Sequence, residues 1–139
     1  MTQRRVRQAF EVPLKTWASA QVPPVPVAWE NSTFKPPAGR YLRAYLLPAD
    51  TASYDLLGKH RCYRGIFQLT LCLPLQTGMK AAEVMAEAIG ALYPVNTAIV
   101  VDDLRVYPVS PMSTARAIPE DDCISLPLSC RYEAHDVVT

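Results

Sequence analysis

Glycine is scarce in this chain. Five glycines in 139 residues leave no glycine-rich loop to cradle a phosphate, which removes the usual nucleotide-binding motifs. An excess of one charge is missing as well: 14 basic residues face 13 acidic ones, whereas a dedicated nucleic-acid binder ordinarily carries a basic surplus. No two of the four cysteines, at 62, 72, 123 and 130, have the two-residue gap of a zinc knuckle or a redox pair. No apolar run is long enough to span a bilayer, and the basic opening MTQRRVRQAFEVPLKTW has no signal-peptide core. Ser53, Ser110 and Ser113 lack the Gly-x-Ser-x-Gly setting of a nucleophile elbow. There is no internal repeat and no low-complexity segment. These absences lead us to expect one domain over residues 1–139, soluble and cytosolic with reduced thiols.

What is present is material for a core. Half of the residues are hydrophobic and 19% are charged, and a chain of this length can bury about two-thirds of its unfolded surface. Val6, Phe10, Leu14 and Trp17 recur at helical spacing, with Pro13 predicting a kink or an early break. Five prolines between Val22 and Pro37 predict an extended connection with a short strand near Val27–Trp29. A strand is expected over Tyr41–Leu47, with Leu42, Ala44 and Leu46 on one face and Tyr41, Arg43, Tyr45 and Leu47 on the other.

Between Gly65 and Leu73, Phe67, Leu69, Leu71 and Leu73 alternate with Ile66, Gln68, Thr70 and Cys72, the pattern of a half-buried antiparallel strand ended by Pro74. Thr77 is the candidate N-cap of the next helix. That helix, GMKAAEVMAEAIGALY, keeps only a narrow polar stripe of Lys80, Glu83 and Glu87. So apolar a helix calls for cover on more than one side, from the sheet and then from the first helix or a neighbouring subunit. Asp102–Asp103 reads as a hairpin turn between two short strands, and PMSTARAIPEDD as a loop. A last strand follows, with Ile124, Leu126, Leu128, Cys130 and Tyr132 on one face; Pro127 within it predicts an edge position or a bulge. The fold class expected is α+β: two helices packed on one face of a mixed or antiparallel sheet.

Chemistry is hard to find in this pattern. His60, Cys62, Cys123, Cys130 and His135 offer ligand types without motif spacing, and buried cysteines are commonly small hydrophobes. Asp102–Asp103 and Glu120–Asp122 fall at predicted turns, where acidic residues serve the backbone. Arg4, Arg5 and Arg7 form a basic helix end, and Tyr41, Arg43 and Tyr45 an aromatic strand face that could stack bases. The expectation is therefore no enzyme, no metal and no cofactor. The alternatives are a small cysteine- or metal-dependent enzyme using His60, Cys62 and a carboxylate, and a nucleic-acid module using the arginine end.

Several segments resemble one family. VRQAFEVPLKTWA is followed by AWEN-x-x-F-x-PP (Ala28 to Pro37), by YLRAYLLPAD, and by GIFQ-x-x-L (Gly65 to Leu71) before an amphipathic helix. This is similar to the tail terminator, or tail-completion, proteins of long-tailed bacteriophages and prophages, from about Val6 to Leu92. The resemblance implies an α+β fold and a ring, typically of six copies. The ring would cap the tail tube, stop its polymerisation and present a surface to the head–tail connector. It further implies a place in the virion tail after assembly in the host cytoplasm, with no membrane and no nucleic-acid partner; the alternative close to it is a neighbouring head–tail joining adaptor with weak DNA contact. Within it, the connection Asp50–His60 and the loop Met112–Asp122 are the expected contacts with other subunits or the tube, because long loops often carry function. Tyr54, Arg116, Asp121 and Asp122 are the candidate interface residues.

Overall fold

The structure, a computed structural model, describes residues 2–53, 56–76 and 78–137. Tyr54 and the expected N-cap Thr77 lie outside the described residues.

The first helix, α1, spans Thr2–Ala20. Val6, Phe10 and Leu14 are fully buried on it and Trp17 is half-buried, as the spacing requires. Pro13 does not break the helix early, contrary to expectation, and α1 runs on past it to Ala20. Proline fixes a helical φ and removes only one donor, to the carbonyl four residues back. Buried anchors on both sides of it, Phe10 before and Leu14 and Ala18 after, hold both halves against the core.

The expected strands are present; the one near Val27–Trp29 is a residue shorter than expected, and those expected from Tyr41, Gly65 and Ile124 run longer than their patterns suggested. After β1 (Val27–Ala28) and β2 (Tyr41–Pro48) comes the two-residue β3 (Ala52–Ser53), then β4 (His60–Pro74). Helix α2 spans Lys80–Gly90, and β5 (Ile99–Val101), β6 (Leu104–Pro108), β7 (Ser113–Thr114), β8 (Ile118–Pro119) and β9 (Cys123–Val137) follow. The path β1-β2-β4-β9-β6-β5 forms one mixed sheet, parallel only between β1 and β2. Its spine is the antiparallel pair β4–β9, 15 residues each and paired from His60↔Val137 to Pro74↔Cys123. At about 3.3 Å per residue that ribbon is about 45 Å long. Short strands line each of its outer edges: β2 and β3 along β4, and β6, β7 and β8 along β9.

Register builds the core. Leu42, Leu71 and Leu126 lie in one row across β2, β4 and β9; Ala44, Leu69 and Leu128 form the next, and Leu46, Phe67 and Cys130 the third. All are buried. Phe10 of α1 stacks on Phe67 at 4.7 Å, and Ala82, Met85, Ala86 and Ile89 of α2 join the same cluster. Val84 is 56% exposed and Met79 36%, so within the monomer α2 is covered on one side, not on several. The described helices include none long and apolar enough to cross a membrane.

Two expectations about the last third change. β9 is no edge strand: it sits between β4 and the β6–β8 flank. Pro127 is tolerated because its carbonyl accepts from Ala115 on the flank side. Its missing donor therefore faces the gap between β7 and β8, not the ladder with β4. The segment Met112–Asp122 is not a free loop either; through β7 and β8 it lies along β9 as an arm. The Asp102 turn is as read, with Asp102 at φ 54 between β5 and β6.

Candidate functional site

The regions expected to make contacts lie at opposite ends of the β4–β9 ribbon. Asp121 and Asp122 form the exposed two-residue tip between β8 and β9, closed by the Glu120 amide donating to the Cys123 carbonyl at 2.8 Å. Glu120 is committed locally. Its carboxylate accepts from Ser125 Oγ at 2.7 Å and from Cys123 Sγ at 3.3 Å, and those bonds hold it below its ordinary pKa. Arg116 is exposed between β7 and β8. The arm therefore carries Arg116, Asp121 and Asp122 along the β9 flank, and a groove of about 570 Å³ opens where the arm begins, between α2 and Met112.

At the other end the turn between β3 and β4 carries Leu56 and Leu57, which are 107% and 79% exposed. Gly58, at φ 66, closes this turn in the left-handed conformation that glycine favours. The sequence reading passed over both leucines; two adjacent leucines in a polar connection were the available signal.

The family-like motifs are structural. Glu30 of the AWEN segment accepts from Arg7 Nη1 at 2.8 Å and from the Leu46 amide at 2.6 Å, tying α1 to β2. Asn31 occupies a left-handed turn position at φ 54, a conformation asparagine tolerates better than most residues. Phe34 packs on Tyr41 at 5.5 Å beside Cys72 and Cys123. The same contacts weaken a nucleic-acid reading. Arg7 bridges Glu11 and Glu30, and Arg5 pairs with Asp136 at 3.1 Å. Tyr41 is buried with Arg43 over its ring at 5.4 Å, so it offers no open stacking platform.

The cysteines divide. Cys123 and Cys130 do not join His60 and Cys62; burial pushes both thiols up to about 11. The pairing Cys62↔His135 instead gathers a polar cluster at the His60 end. Cys62 Sγ donates to Glu133 Oε1 at 3.5 Å and lies 4.0 Å from His135 Nε2. His135 Nε2 lies 2.7 Å from Glu133 Oε1. His60 Nε2 meets His135 Nδ1 at 2.8 Å, with the rings stacked at 5.0 Å. Glu133 was missed in the sequence, although Glu133 and His135 share a strand face by simple alternation.

Comparison with known proteins gives a family and several solved structures. The sequence model of a family described as "Phage tail terminator protein" matches residues 5–132. A solved structure of a protein named only by a sequence identifier is 42% identical, with a TM-score of 0.83 over 96% of this chain and 96% of that one. No curated protein matches the chain.

Proposed function

The chain belongs to the phage tail terminator family, and from that premise we propose that it caps the tail tube, ends its polymerisation and forms part of the surface that meets the head connector. It acts in the virion tail as a ring, of six copies on the family pattern, and its output is shape complementarity, with no bond made or broken. On this reading both helices cover the inner sheet face and leave the two ribbon ends for partners.

The observation that carries the proposal beyond kinship is the separation of two unlike surfaces at the two ends of one long paired ribbon. A closed ring uses heterologous contacts, which need two different complementary patches. One end exposes Leu56 and Leu57 to water, whereas the other presents the exposed charges of Asp121 and Asp122, with Arg116 on the arm that leads to them. Burying a leucine is worth about 1.5–3 kcal/mol, so the tip gains by docking. The uncovered Val84 side of α2 is a second candidate contact, the neighbouring-subunit cover that its composition calls for.

The test is electron microscopy of tube protein polymerised with and without this chain. Capped tubes of restricted length, with a ring at one end, are the expected result. Unchanged lengths and bare ends would overturn the proposal.

A further inference from the structure

We propose that Cys62, Glu133 and His135 form a binding site for a zinc-like divalent metal ion, with His60 as its outer-shell partner. This departs from the expectation of no metal and is independent of the tail-cap reading.

Three donor types favoured by zinc converge on one point of the outer sheet face. Cys62 Sγ, one Glu133 carboxylate oxygen and one His135 ring nitrogen lie within 4.8 Å of one another. Zinc bonds of about 2.0–2.3 Å place the corners of a tetrahedron about 3.3–3.8 Å apart. Of the observed separations from sulfur, 3.5 Å to Glu133 falls within that range and 4.0 Å to His135 lies just above it. The oxygen–nitrogen pair at 2.7 Å is drawn together by the proton it shares, and an ion in that proton's place opens it by about half an ångström. Sulfur, imidazole and carboxylate together select zinc or cobalt over magnesium or calcium, which take oxygen ligands.

The second shell is already built. A metal-bound histidine usually donates its remaining ring N–H to a fixed acceptor, which sets its tautomer. Here His60 Nε2 stands 2.8 Å from His135 Nδ1, on the ring atom turned away from the cluster. With metal on Nε2, His135 donates from Nδ1 and His60 accepts. Cys62 is fully buried, while the Glu133 and His135 side chains are 34% and 42% exposed. An ion thus reaches the sulfur from the solvent side. Among the described residues three side chains supply ligands, and a tetrahedral ion takes one more.

The location gives the site a role. Cys62 lies between its partners Ala52 in β3 and His135 in β9. An ion here cross-links β4 to β9 next to the β3–β4 turn that carries Leu56 and Leu57.

Titration of the metal-free full-length protein with cobalt(II) tests this directly. One equivalent is expected to bind with a thiolate-to-cobalt charge-transfer band and tetrahedral visible bands. Cys62→Ser abolishes the charge-transfer band, and Cys123→Ser leaves it intact. His60→Phe weakens affinity by about 10–100-fold, the usual loss of an outer-shell partner. Absence of the band in the native protein, or its persistence in Cys62→Ser, would overturn the site. If Cys62→Ser fails to fold, Glu133→Gln and His135→Asn on the solvent side decide. Weaker binding in both supports the site, and unchanged affinity in both sinks it.

Discussion

The hydroxyl of Tyr93 donates a 2.7 Å hydrogen bond to the main-chain carbonyl of Phe10. Pro13 supplies no N–H to the carbonyl of Ala9, one residue earlier. The chain just beyond α2 is therefore fastened to α1 at the turn that proline loosens, and the Tyr93 ring packs on Phe10 at 5.5 Å. Tyr93→Phe keeps the ring and removes the bond, so it should lower unfolding free energy by about 1 kcal/mol in urea titration. Pro13→Ala restores the missing helix donor and should raise it by about 1–3 kcal/mol.

Glu30 should govern part of the acid limb of stability. Burial alone would raise its pKa, but the bonds from Arg7 and the Leu46 amide outweigh it, and the carboxyl sits below its ordinary value near 4.5. A depressed acid contributes stability above the unfolded pKa and loses it as pH falls through the folded one. Glu30→Gln should therefore lower the melting temperature at neutral pH and flatten its decline below about pH 5. Glu11 has the opposite sign, because burial outweighs Arg7 and raises it. Glu11→Gln should cost nothing at neutral pH, which calorimetry across the pH range can compare.

Gly65 tolerates no side chain. A Cβ there would stand 2.5 Å from the Leu47 carbonyl oxygen and 2.6 Å from the Tyr132 hydroxyl. The first contact is backbone within a ladder and cannot swing away. Gly65→Ala should destabilise by about 1–3 kcal/mol. Adding Tyr132→Ala should not rescue it, since the carbonyl clash remains; thermal unfolding of the single and double variants separates the two contacts.

Assembly variants should spare the monomer. Leu56 and Leu57 are exposed, so Leu56→Asp with Leu57→Asp should leave the melting temperature within about 0.5 kcal/mol equivalent of the parent while abolishing ring formation on tubes. Asp121→Lys with Asp122→Lys should weaken assembly and restore some of it at high salt, where exposed charges are screened. Sedimentation with tubes at two salt concentrations reads both. Unchanged assembly in the charge-reversed protein would remove the β8–β9 tip from the interface.

Cys123 and Cys130 should be slow thiols. Burial raises both to about 11 from 9.0, which cuts the reactive thiolate at neutral pH by about a hundredfold before any steric barrier. Alkylation followed by peptide mass spectrometry should find both sites unmodified until the protein unfolds. Rapid native labelling at Cys130 would show that the β9 core row opens.

Local pattern made much of this molecule readable. Alternation over Gly65–Leu73 named the buried face of β4, helical spacing named Val6, Phe10 and Leu14, and Asp102 marked its own turn. Such signals survive because they come from side-chain periodicity, which needs no knowledge of the partner. Pro127 misled for the complementary reason. A proline reports that a donor is missing, but not which neighbour would have received it, and here that side faces the gap between β7 and β8.

The chain's own order of residues determined the elements, the apolar faces and the shortage of short-range chemical motifs. Tertiary structure alone decided which distant residues meet. Cys62 and His135 are 73 positions apart and become neighbours only because β4 and β9 pair in one particular register. The same register sends the Leu56–Leu57 tip and the Asp121–Asp122 tip to opposite ends of a single ribbon. Register is set by summed burial along two long strands, a property of the pair that neither strand carries by itself.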